Sequence, residues 1–130
     1  MPIRYMLLSV SLLFVLSAYA QDKEQPKEPP PIYTYAEQMP STGYDPGAYL
    51  GKNIHYPDSA RAHNIQGRVV VKFVVNEDGS ISDCKIITSV NKECDEEALR
   101  VVKSMPRWKP GTQNGKKVKV YFNLPIVFKL

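Results

Sequence analysis

The stretch Lys117-Val118-Lys119-Val120-Tyr121-Phe122-Asn123-Leu124-Pro125-Ile126-Val127-Phe128-Lys129-Leu130 decides the fold. Val118, Val120, Phe122, Leu124, Ile126, Phe128 and Leu130 share one parity, whereas Lys117, Lys119, Tyr121, Asn123 and Lys129 share the other. A period of two with one apolar side predicts a strand half buried against a core. Closing a small domain, such a strand is a candidate sheet edge, and unpaired backbone at an edge can accept another chain.

Upstream, Val69, Val71, Phe73 and Val75 repeat the alternation, with Val70 and Val74 making the other side half apolar. A strand apolar on both faces is a central one. Asn76-Glu77-Asp78-Gly79 is turn chemistry, so Ser80 to Thr88 should return as the second strand of a hairpin. The second strand is polar at Ser82, Asp83 and Lys85, which places it at a margin. The expected sheet order is second strand, first strand, final strand.

Two helices are expected to cover this sheet. The first opens at Pro57, where proline suits the first helical turn, and closes near His63, because Asn64 tolerates the left-handed conformation that ends helices. The second has Asp95, Glu96 and Glu97 crowding its start and Arg100 and Lys103 further along, as the helix dipole favours. Met105-Pro106 stops it. Residues 40–53 read as a flanking segment with a short helix around Ala48 to Lys52, and Trp108 as a plug between helix and sheet.

The N-terminus has the layout of a cleavable secretory signal over residues 1–20: Arg4, the apolar run Met6 to Leu16, then Ser17-Ala18-Tyr19-Ala20. Residues 21–39 hold Pro26, Pro29, Pro30 and Pro31 among Lys and Glu and read as a linker. Export places the protein in the periplasm, anchored in the inner membrane if the signal is retained. The formal charge of +4 is too small, and Lys116, Lys117 and Lys119 too local, for a nucleic-acid partner.

An exported chain with two cysteines permits a disulfide. Cys84 shares strand parity with Ile86, and Cys94 opens a helix whose Ala98, Val102 and Met105 follow at helical spacing. Both point toward one core, as a bonded pair or as two buried thiols. Their spacing fits neither a C-x-x-C redox pair nor a zinc set. No serine or cysteine lies in a nucleophile motif, and His55 and His63 flank a short helix as polar contacts. Neither enzyme activity nor a cofactor is expected.

Taken in order, Tyr56-Pro57, Ala60-Arg61, Ile65-Gln66-Gly67, Asp78-Gly79-Ser80-Ile81, Asp95-Glu96-Glu97-Ala98-Leu99, Trp108-Lys109-Pro110-Gly111 and Leu124-Pro125-Ile126 resemble the TonB C-terminal domain family over about residues 54–130. The resemblance implies an α+β domain, two helices packed on a three-stranded antiparallel sheet. It supplies a partner for the final strand: the TonB-box peptide of outer-membrane TonB-dependent transporters, added beside Lys117, Val118, Lys119, Val120, Tyr121, Phe122, Asn123 and Leu124. It also implies energised transport and an inner-membrane motor complex as a further partner. Transducers of that family carry a membrane anchor and a long Pro-rich spacer, whereas here the leader reads as cleavable and the spacer is short. The competing expectation is a non-transducing cell-envelope scaffold whose final strand pairs with its twin in a homodimer.

Overall fold

The computed structural model describes residues 28–130, so the signal expected over 1–20 and the first part of the linker lie outside the described residues. Pro31–Leu130 form one compact unit. In chain order its elements are β1 (Ile32–Tyr33), α1 (Pro46–Asn53), α2 (Asp58–Ala62), β2 (Gly67–Val75), β3 (Ile81–Thr88), α3 (Lys92–Lys103), β4 (Gly111–Gln113) and β5 (Lys116–Phe128).

Local chemistry explains the helix boundaries. Asp45 caps α1, its carboxylate accepting from the Gly47 amide at 3.0 Å. Pro57 precedes α2, Asp58 opens it, and Asn64 closes it in the left-handed region at φ 53°. Asn91 caps α3, its side chain accepting from the Cys94 amide at 2.8 Å. That cap starts the helix at Lys92, one turn before the carboxylates at 95–97 suggest. Ser104 ends it, two residues ahead of Pro106.

The sheet runs β1-β5-β2-β3, and β4 pairs with the start of β5. Thus β2 is central between β3 and β5, as its two apolar faces require. Two expectations are corrected. The sheet has five strands in place of three, and it is not wholly antiparallel, because β1 runs parallel to β5. Three helices are present among the described residues, α1 included. The stretch expected as linker is also structured from Ile32 onward: Ala36 is fully buried, Gln38 bridges to Thr112, and Ser41 bridges to Lys109.

One core joins the layers. Val69, Val71, Phe73 and Val75 of β2 and Leu124, Ile126 and Phe128 of β5 meet Cys94, Ala98, Val101 and Val102 of α3, with Ala60 and Leu50 completing the cluster. Trp108 fills the gap beyond α3, its ring centroid 5.4 Å from Phe73 and 4.8 Å from Phe122. Phe128 meets the edge of Tyr56 at 5.6 Å, which ties the end of β5 to the start of α2.

Candidate functional site

The alternation that marks β5 in the sequence becomes a division of labour in the fold. Val120, Leu124, Ile126 and Phe128 are buried, Phe122 is half-buried against Trp108 and Phe73, and Asn123, Pro125 and Val127 are exposed. The apolar parity stops at Phe128, because Leu130 lies beyond the strand and is 50% exposed. On the outer face Tyr121 is held by Lys72, whose ammonium stands 4.4 Å from the ring centroid.

Nine consecutive pairs, from Gly67 with Phe128 to Val75 with Val120, join β5 to β2 without a shift in register. In an antiparallel ladder alternate residues direct both backbone groups to the partner and the others direct both away. Pro125 sits opposite Val70 and has no N–H to give. Proline is tolerated in a strand where its missing donor faces outward. Residues of its parity, Lys119, Tyr121, Asn123 and Val127, therefore turn their amide and carbonyl groups to the outer edge. That edge is a fixed row of donors and acceptors.

The eight residues assigned to peptide binding are not equivalent. Lys117 pairs with Thr112 and Val118 with Gly111 of β4. Lys119 pairs with Ile32 and Val120 with Tyr33 of β1. From Tyr121 to Phe128, β2 is the only strand partner among the described residues. Tyr121, Phe122, Asn123 and Leu124 thus lie on open edge, which continues through Val127. That β1 and β4 border this stretch was not foreseen from the sequence; the available signal for β1 was Ile32-Tyr33-Thr34-Tyr35, a run of strand-forming residues just after the prolines.

The opposite margin of the sheet, β3, is built differently. Its register with β2 shifts twice, and Asp83 takes a left-handed φ of 53°. Such bulges twist an edge away from an incoming strand, and the charges of Asp83 and Lys85 add to the deterrent. Of the two margins, β5 is the regular one.

The remaining candidates stand apart from this edge. Cys84 and Cys94, expected from the sequence as a bonded pair or as two buried thiols, are free thiols packed against the same core, Cys84 half-buried and Cys94 buried. Burial pushes both thiols above their usual range; Lys103 partly offsets this at Cys84, where Asp83 adds a smaller upward push, and Asp95 and Glu93 add to it at Cys94. The His63 ring contacts the Ser59 carbonyl at 2.8 Å, and the His55 amide donates to Glu97 at 3.1 Å. A depression of about 550 Å³ is lined by His55, Asp58, Glu93, Glu96, Glu97 and Arg100. Its Glu97 is already engaged by Arg100 and the His55 amide. Among the described residues no group of three or more His, Cys, Asp or Glu is placed to hold a metal.

Fold and edge define a class first: a small α+β domain closed by a long strand with its outer backbone open. Residues 52–130 match the family described as Gram-negative bacterial TonB protein C-terminal, and the chain belongs to that family. It is similar to the Protein TonB of Helicobacter pylori, 32% identical over 84 residues, which cover 64% of this chain and 28% of that protein. It is similar also to the Protein TonB of Pseudomonas aeruginosa, 34% identical over 61 residues, 47% of this chain and 18% of that one. The chain therefore spans less than a third of the curated relatives it matches. Among solved structures, the solution NMR structure of the Helicobacter pylori TonB-CTD is similar at a TM-score of 0.50 and 26% identity, over 64% of this chain and 75% of that one.

Proposed function

We propose that this domain binds an extended peptide along the outer edge of β5 by strand addition, that the peptide is the TonB box of an outer-membrane TonB-dependent transporter, and that the chain thereby contributes to energised transport across the envelope. The observation that carries this is the regular edge from Tyr121 to Phe128, which has no strand on its outer side among the described residues and whose outward backbone groups are fixed by the ladder to β2. Main-chain hydrogen bonds supply the affinity in such a complex, and side chains beside the edge tune it. Tyr121 and Asn123 are the tuning residues here, with Lys117 and Lys119 at the entrance. The function is one of binding and transmission, exercised in the periplasm, with an inner-membrane motor complex as the further partner.

Titration of the protein with a synthetic TonB-box peptide, followed by amide NMR shifts, tests this reading. Shifts should concentrate in β5 from Lys119 to Val127. Asn123→Pro removes an outward N–H at an exposed position and should abolish binding while leaving the fold intact. Unchanged binding in Asn123→Pro would show that the peptide docks elsewhere. A stable dimer paired through β5, insensitive to added peptide, would favour the self-associating scaffold.

A further inference from the structure

Among the described residues, the segment that borders the open stretch of β5 on its outer edge is β1, a part of the chain itself. β1 is only two residues long, pairing Ile32 with Lys119 and Tyr33 with Val120 in the parallel sense. On the edge it stands directly before the open stretch that begins at Tyr121. We propose that β1 is a detachable guard of this edge, which an incoming strand displaces when it extends over Lys119 and Val120. This rests on the reading of β5 as a peptide-binding edge and adds an internal competitor to it.

Three features fit a guard better than a permanent strand. Its ladder cannot lengthen, because Pro30 and Pro31 precede it and the chain bends at Thr34–Tyr35, where Tyr35 is 76% exposed. Ile32 and Tyr33 are only half-buried and take no part in the core cluster, so their release opens no cavity. The chain just downstream is firmly held. The Gln38 amide donates to the Thr112 carbonyl at 3.1 Å and accepts through its own carbonyl from the Thr112 amide at 2.9 Å. The Glu37 amide donates to the Gln113 side chain at 2.9 Å, and Ser41 exchanges backbone bonds with Lys109 at 3.0 and 2.6 Å. A released β1 therefore stays tethered within a few residues of its site. Its return is intramolecular and fast, with a high effective concentration.

A segment held by two residues contributes few net hydrogen bonds, so the closed state is favoured modestly. A peptide that must displace it binds with an affinity lowered by the fraction of open edge. Tyr33→Pro removes the ladder donor of β1, because the outward groups of Lys119 pair with the residues that flank Ile32, and should detach the segment. The test compares this variant and a milder one, Tyr33→Gly, with the unaltered chain, using a synthetic TonB-box peptide as probe and amide exchange of free protein as the second readout.

Exchange at Lys119 and Tyr121 should rise about tenfold or more in Tyr33→Pro, and peptide affinity should tighten by about 3- to 10-fold, with Tyr33→Gly between. Unchanged exchange at these amides, or equal or weaker affinity in the variants, overturns the guard. Loss of the folded domain in both variants also overturns it, since a guard must leave without unfolding what it covers. Absence of peptide binding in all three chains is a different failure: it removes the peptide-binding reading, and the guard with it.

Discussion

The Gly79 carbonyl accepts the Trp108 amide at 2.9 Å, and the Gly79 Cα lies so close to the Trp108 backbone that a Cβ added there would stand 2.0 Å from the Trp108 carbonyl oxygen. The hairpin turn between β2 and β3 is thereby clamped to the aromatic plug that fills the space beside Phe73 and Phe122. Gly79 also has a φ of +84°. Steric room and backbone conformation both require glycine.

Gly79→Ala should accordingly destabilise the domain by about 3 kcal/mol or more, combining the left-handed penalty with a contact that can be relieved only by moving backbone. Urea denaturation followed by Trp108 fluorescence measures it. Near-native stability would mean that the turn relaxes away from Trp108.

The two parities of β5 should separate stability from binding. Phe128→Ala leaves a cavity at a position 1% exposed and should cost about 3 to 5 kcal/mol in thermal or chemical unfolding. Asn123→Ala, at an exposed position, should stay within about 0.5 kcal/mol of the parent while weakening peptide binding.

Cys84 and Cys94 should behave as two shielded thiols. With their ionisation pushed above the usual 9.0 by burial, the reactive thiolate is scarce near neutral pH. An Ellman titration should be slow on the folded protein and should find two thiols per chain once it is unfolded. No thiols in the unfolded chain would mean that the pair has bonded.

Glu97 should give the domain an acid-sensitive increment of stability. Burial alone would raise its carboxyl, but the hydrogen bonds from Arg100 and from the His55 amide outweigh it and hold the group below its ordinary 4.5. Its folded-state pKa is thus depressed, so the contribution is present above about pH 4.5 and is lost as pH falls through the folded value. Glu97→Gln should lower stability at neutral pH by about 1 kcal/mol, a figure kept small because the partner Arg100 is half exposed. Urea midpoints against pH should show a shallower acid limb in the variant. An unaltered limb would mean that the pair adds nothing.

What could be read from the sequence was whatever neighbouring residues settle among themselves. The alternation of β5 and the doubly apolar run of β2 fixed their faces and the central place of β2, because side chains alternate strictly along a strand. Asn64 at a left-handed helix end and Asn76 to Gly79 in the hairpin turn were equally legible, since each acts on its own backbone within a few residues. What only the tertiary structure decided depends on partners far away in the chain. Ile32 and Tyr33 become a strand only because β5 offers them an edge, and Gln38 is ordered by Thr112, 74 residues on. A two-residue strand between prolines and a bend has no periodicity of its own, so composition made it look like linker. For the same reason the extent of open edge on β5 was set by tertiary contacts. Alternation tells which side chains face the core, whereas the partners of the outward backbone groups are determined by whichever distant segment folds back to reach them.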